Sequence, residues 1–299
     1  MSSTSRIDRI VLGSADLRDV PETTALLGRF RDRGGRALDL ANVYADGESQ
    51  RAVGRWLRTN GAEMTLYAKG CHPPYCSPGL VAQEVDRARS DVGVERLDVF
   101  MLHRDDTAVP AREWADALLE QVQRGAIGAF GVSNWTVERV VELRDALDGD
   151  GDGDGGGVGD ADRLAVFSNH FSLGQMVTPT WPGTLGMSLR DIEAVDALGV
   201  RPIAWASLAA GYFARRESPS WDSEDNERRR ARAEELAAER GTGATTVALA
   251  YVLNQPVRVL AAVGTRTEEH LDELLAAADI DLTPRELEWL ETGAEVRAG

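Results

Sequence analysis

Short apolar runs alternate along this chain with longer stretches in which apolar residues recur at helical spacing. The runs at 10–12, 37–40, 65–68, 99–102, 129–132, 165–167, 202–204 and 260–263 read as strands. They are continuously apolar rather than alternating, the pattern of a parallel sheet covered on both faces. Helical spacing follows at 21–33, 49–58, 78–92, 110–124, 136–147, 189–198, 226–240, 245–254 and 268–278. Eight strand-then-helix units within 299 residues predict a single-domain α/β protein, a (β/α)8 barrel. A terminal helix at 284–291 is expected to pack outside it. The stretch 148–162 breaks the rhythm with DGDGDGDGGGVGDAD. Its Gly151-x-Gly153-x-x-Gly156 lacks the strand and helix that a dinucleotide loop needs. Its calcium-loop opening ends on Gly159, where a bidentate Glu belongs. A flexible acidic surface insertion is expected.

Composition narrows the class. The chain is 43% hydrophobic and 27% charged, ordinary for a globular protein, and no apolar run approaches the length of a bilayer span. The first residues are polar and two cysteines make no disulfide framework, so a cytoplasmic location is expected. Asp plus Glu number 49 against 33 Lys plus Arg, a net charge of −16 that disfavours nucleic acid and anionic membrane as partners. Lys69 is the only lysine; every other basic residue is arginine. Acid excess with lysine depletion fits a halophile or a high-GC source. At position 69 the arginine bias stops, which points to chemistry that needs a compact ammonium rather than a planar fork.

Barrel enzymes build their sites at the C-terminal ends of the strands, so the polar residues there carry the functional reading. The junctions supply Asp39 and Tyr44, Lys69, His103, Ser133-Asn134, Ser168-Asn169, Trp205 with Ser207, and Gly264-Thr265-Arg266. Each alone has an ordinary explanation as a turn, cap or core residue. Together, Asp, Tyr, Lys and His are costly to gather in one mouth unless they react. The set suits proton donation to a developing alkoxide. An ammonium beside a phenol favours the phenolate, a carboxylate anchors the ammonium, and a neutral imidazole orients the carbonyl.

At these residues the sequence closely resembles the aldo-keto reductase superfamily. The resemblance rests on Asp39 through Tyr44 with Gly47-Glu48-Ser49, Ala68-Lys69-Gly70, Leu97-Asp98 through Leu102-His103-Arg104, and Gly125 through Ser133-Asn134. It continues in Ala204 through Leu208 with Gly211, and in Val263 through Thr267. It implies an NADPH-dependent reductase of aldehydes or ketones, reversible toward alcohol oxidation, with NADH the alternative cofactor and a small carbonyl compound or alcohol as partner. Tyr44 would be the proton donor, with Lys69, Asp39 and His103 completing a catalytic tetrad. Ser133, Asn134 and Ser168 would meet the nicotinamide carboxamide and Trp205 its ring. Ser207, Leu208 and Gly211 would follow the pyrophosphate, and Gly264, Thr265, Arg266 and His270 the adenosine 2′-phosphate. Ser168-Asn169 stand where the family commonly has Gln, and His270 and Leu274 where many members have Arg or Gln and Asn. The stretch 171–183 resembles a bacterial branch. A cofactor-binding regulatory subunit with little turnover is the rival function.

Other candidates are weaker. Cys71, His72, Cys76 and His103 lack the paired spacing of a zinc site, so no metal is expected. His103-Arg104-Asp105 mimics a kinase triplet without its Gly-rich loop or downstream Asn. Trp56, Trp114 and Trp289 read as packing residues, while Trp135 and Trp181 follow strand ends and are candidates to line the mouth.

Overall fold

A computed structural model of the chain describes residues 6–148 and 160–294. Eight parallel strands close into a barrel in sequence order. They are β1 (Ile10–Gly13), β2 (Ala37–Ala41), β3 (Thr65–Gly70), β4 (Leu97–Leu102), β5 (Ile127–Ser133), β6 (Leu164–His170), β7 (Arg201–Trp205) and β8 (Leu260–Val263). Around them run α1 (Pro21–Asp32), α2 (Glu48–Asn60), α3 (Val81–Val92), α4 (Ala111–Gln123), α5 (Val137–Asp148) and α6 (Leu189–Ala197). Next come α7 (Glu224–Arg240), α8 (Ala244–Leu253), α9 (Glu268–Leu275) and α10 (Pro284–Thr292). The predicted insertion lies almost wholly outside the described residues.

Every predicted strand falls within an observed one. Several run further at their C-terminal ends, because barrel pairing continues through polar residues: Ala41 faces Lys69, Ser133 faces Ser168, and His170 faces Trp205. Pairing is indifferent to side-chain polarity, so an apolar run underestimates the strand.

The apolar strands divide their residues by alternation. Val11, Val99, Met101, Val166, Ile203 and Leu260 fill the barrel interior. Ile10, Leu12, Phe100, Leu102, Val132 and Phe167 belong to the layer between strands and helices. Followed to the strand ends, this two-residue period sends Asp39, Lys69, Ser133 and Trp205 inward.

Local signals set the helix ends. Ser188 with Asp191 and Thr283 with Glu286 form reciprocal capping boxes at α6 and α10. Helix α2 lies so close to the end of α3 that a Cβ on Gly54 would stand 2.0 Å from the Val92 carbonyl oxygen.

Candidate active site

The turn after β2 carries Tyr44. Ala45 and Asp46 both adopt left-handed conformations, with φ of 47° and 51°. Gly47 follows at φ +80°, where a side chain would also collide with Asp91. A buried amide network holds this turn. Asn42 Nδ2 donates to Glu84 Oε2 at 2.9 Å, and Gln50 Nε2 donates to Asn42 Oδ1 at 2.9 Å. The Cys71 backbone N–H reaches the same Glu84 oxygen at 3.1 Å, tying the β2 and β3 junctions to α3.

The structure brings all four candidate catalytic side chains together. Lys69 Nζ forms a buried ion pair with Asp39 Oδ1. The same nitrogen lies 5.1 Å from the centre of the Tyr44 ring. The Tyr44 hydroxyl donates to Asp39 Oδ2 at 3.4 Å. His103, held by its N–H to the Gly70 carbonyl at 2.8 Å, meets the Tyr44 ring edge-on at a centroid distance of 6.2 Å.

Electrostatics differ from the sequence expectation at one point. Burial pushes the half-buried Tyr44 phenol above its ordinary value; Lys69 pulls it back down only in part. The lysine therefore limits the cost of burial rather than acidifying the phenol outright, and Tyr44 stays a protonated donor. Burial alone would depress the Lys69 ammonium, yet Asp39 and Tyr44 together hold it above its usual value. His103 is held well below its usual value by burial, then by the positive charges of Lys69 and Arg104. It is neutral near pH 7. Its Nδ1 is buried with no hydrogen-bond partner among the described residues, so we assign the proton to Nε2.

These four groups line a cleft of 570 Å³. Ser133, Asn134, Ser168, Trp205, Ser207, Leu208, Gly211, Gly264, Thr265 and His270 all line it. Arg266 is not among the lining residues: its largely exposed guanidinium pairs at 3.3 Å with Asp16, which does line the cleft. Asn134 spends its amide inside the protein, donating to the His103 carbonyl at 3.2 Å and accepting the Leu185 N–H at 3.1 Å. Ser133 Oγ accepts a further bond from it at 3.1 Å, which leaves the Ser133 hydroxyl proton for a ligand. Asn169 fills a structural role, accepting the Asn134 N–H and donating to the Trp135 carbonyl, both at 2.8 Å.

An aromatic wall closes one side. Trp205 packs 5.4 Å from His170 and 6.4 Å from Trp181, which is 59% exposed at the mouth. Trp135, a candidate for the mouth, is instead fully buried 6.4 Å from Trp114. It flanks the cation of Arg139, whose carboxylate partners are Asp105 and Glu142.

Sequence reasoning missed Arg104, Arg216, His72 and Thr245 as lining residues. Arg104 adjoins His103 and Arg216 follows the Gly211 loop, so adjacency to an assigned residue was the available signal. Gly211 has φ +89°, and the Arg216 stem runs 2.7 Å from where its Cβ would stand. A Cβ on Gly264 would meet nothing within 4 Å, so this backbone faces open cleft. Bare backbone at Gly264, with the Arg216 guanidinium unpaired among the described residues, suits a phosphate-bearing ligand. The face of Trp205 suits a planar ring.

A barrel with this constellation at its strand ends defines a class of oxidoreductase, and the sequence agrees. It matches the Aldo/keto reductase family over residues 9–151 and 188–292, and the chain belongs to that family. Norsolorinic acid reductase of Aspergillus flavus is 26% identical over 289 residues, covering 89% of this chain and 70% of its own. Uncharacterized oxidoreductase YrpG of Bacillus subtilis is 23% identical, with 95% and 91% covered. Relatives thus come from fungi and bacteria, and the matches do not single out a bacterial branch. Among solved structures, an aldo-keto reductase from Klebsiella pneumoniae in complex with NADPH has a TM-score of 0.73 at 22% identity, covering 95% of this chain and 89% of that one.

Proposed function

We propose that this protein reduces an aldehyde or ketone with NADPH, Tyr44 supplying the proton, and that it runs in reverse on the alcohol. The observation that carries this reading is the contact set of Tyr44, Lys69, Asp39 and His103, all lining one 570 Å³ cleft. Bound NADPH supplies a hydride to the carbonyl carbon. Ser133, Ser168 and Trp205 would hold its nicotinamide; Ser207, Leu208, Gly211 and Arg216 its pyrophosphate. Gly264, Thr265 and His270 would hold its adenosine end. Arg266 joins them only if its pair with Asp16 opens, so NADH remains the alternative cofactor.

His103 donates from Nε2 to the carbonyl oxygen and orients it. As charge develops on that oxygen, Tyr44 passes it the hydroxyl proton, and Lys69 stabilises the phenolate left behind. Asp39 keeps Lys69 charged and in place. The acidic, lysine-free surface supports a further part of the proposal, adaptation to high salt.

Absorbance at 340 nm with a panel of aldehydes tests the reaction. Tyr44→Phe is expected to abolish turnover while NADPH binding, read by fluorescence, persists. Binding without turnover in the wild type would instead favour a regulatory subunit.

A further inference from the structure

Arg104 is 7% exposed and lines the cleft beside His103, yet the mechanism above gives it no task. A guanidinium has five N–H donors. In Arg104 one bond is made, from NH1 to the His103 carbonyl at 2.8 Å, and no carboxylate pairs with it among the described residues. The neighbouring Asp105 is committed to Arg139, with contacts of 2.9 and 3.2 Å. Gly183 closes over the stem, where a Cβ would come within 3.5 Å of Arg104 Cδ. The loop after β6 and the His103 junction therefore enclose the cation, while Arg104 still lines the cleft. Burial accordingly lowers its pKa, while the Tyr44 phenol works in the opposite direction. Keeping a buried cation without a counter-charge is costly unless a ligand provides one.

We infer that Arg104 binds a carboxylate carried by the substrate, so that the preferred substrates are aldehydes or ketones bearing an acid group. The inference rests on the reaction proposed above and names its substrate class. The planar fork of arginine matches a carboxylate in two parallel bonds, which an ammonium cannot reproduce. The remaining cation of the cleft, Arg216, flanks the Gly211 loop, and Lys69 is neutralised by Asp39. Arg104 thus provides the free positive charge near the reacting carbonyl. A neutral substrate would leave it unmatched.

Two measurements test this. In the first, kcat/KM is compared for 4-carboxybenzaldehyde and methyl 4-formylbenzoate. The wild type is expected to favour the acid at least about tenfold. Arg104→Gln should erase that ratio, and Arg104→Lys should keep part of it. In the second, benzoate and benzamide are titrated into the NADP-saturated protein and followed by tryptophan fluorescence. Benzoate should bind more tightly, and only with an intact Arg104. Equal treatment of acid and ester by the wild type, or an unchanged ratio in Arg104→Gln, overturns the inference. Tighter binding of phenyl phosphate than of benzoate overturns the choice of carboxylate. If no aldehyde reacts but Arg104 still selects benzoate, the proposed reaction falls and the anion site stands.

Discussion

His170 offers a quantitative test of how the aromatic wall is built. It is 4% exposed, and its Nε2 lies 3.2 Å from both Trp221 Nε1 and Ser172 Oγ. The indole N–H can only donate, so Nε2 must accept and the ring must be neutral. Burial lowers its pKa from 6.5 to about 4. Between those values the unfolded chain takes up a proton that the native protein refuses, so native stability falls as pH drops. For this one group the loss is about 2 kcal/mol between pH 7 and pH 5, and about 3 kcal/mol by pH 4. Glutamine at 170 keeps an acceptor but binds no proton. Urea denaturation of wild type and His170→Gln, each at pH 7 and pH 5, isolates the contribution as a double difference, because the carboxylates and His103 titrate in both proteins. The variant should lose about 2 kcal/mol less than wild type over that interval. Equal losses in the two proteins would refute the assignment of His170 as a neutral, proton-excluding support for Trp205.

Other perturbations address the site and the scaffold. Lys69→Met leaves the buried Asp39 carboxylate unpaired and should cost about 3–5 kcal/mol of stability in denaturant. Adding Asp39→Asn should restore most of that stability without restoring turnover. Gly54→Ala drives a methyl group into the Val92 carbonyl, and the expected cost of about 2 kcal/mol should outweigh the gain in helix propensity and lower the melting temperature. With a net charge of −16, activity and melting temperature should both rise from about 0.1 to about 2 M KCl; a flat or falling response removes the halophile reading.

The barrel was legible because its strands are apolar on both faces and its helices are periodic. Several junctions then placed a polar residue, Asp39, Lys69 and Ser133 among them, where parity sends it inward. What stayed hidden depends on backbone conformation and on competition between neighbours. The left-handed pair Ala45 and Asp46, which turns Tyr44 back over Lys69, leaves no mark in hydrophobic patterning. Asn42 was visible only as part of a motif; its bonds to Glu84 and Gln50 need three elements folded together. Arg266 is claimed by Asp16, a residue 250 positions away in sequence, and Trp135 by the core beside Trp114. Arg104 was visible only inside motifs and was given no role, because a basic residue after a strand is ordinary until its lack of a counter-charge can be seen.

The solitary lysine also gives the molecule an unusual chemical handle. Lys69, a residue 4% exposed, carries the sole side-chain amine and so the sole side-chain target of reductive methylation. Mass shifts that mark dozens of scattered positions on most proteins would here register one interior amine, so protection from labelling by an added compound would read directly as occupancy of the pocket.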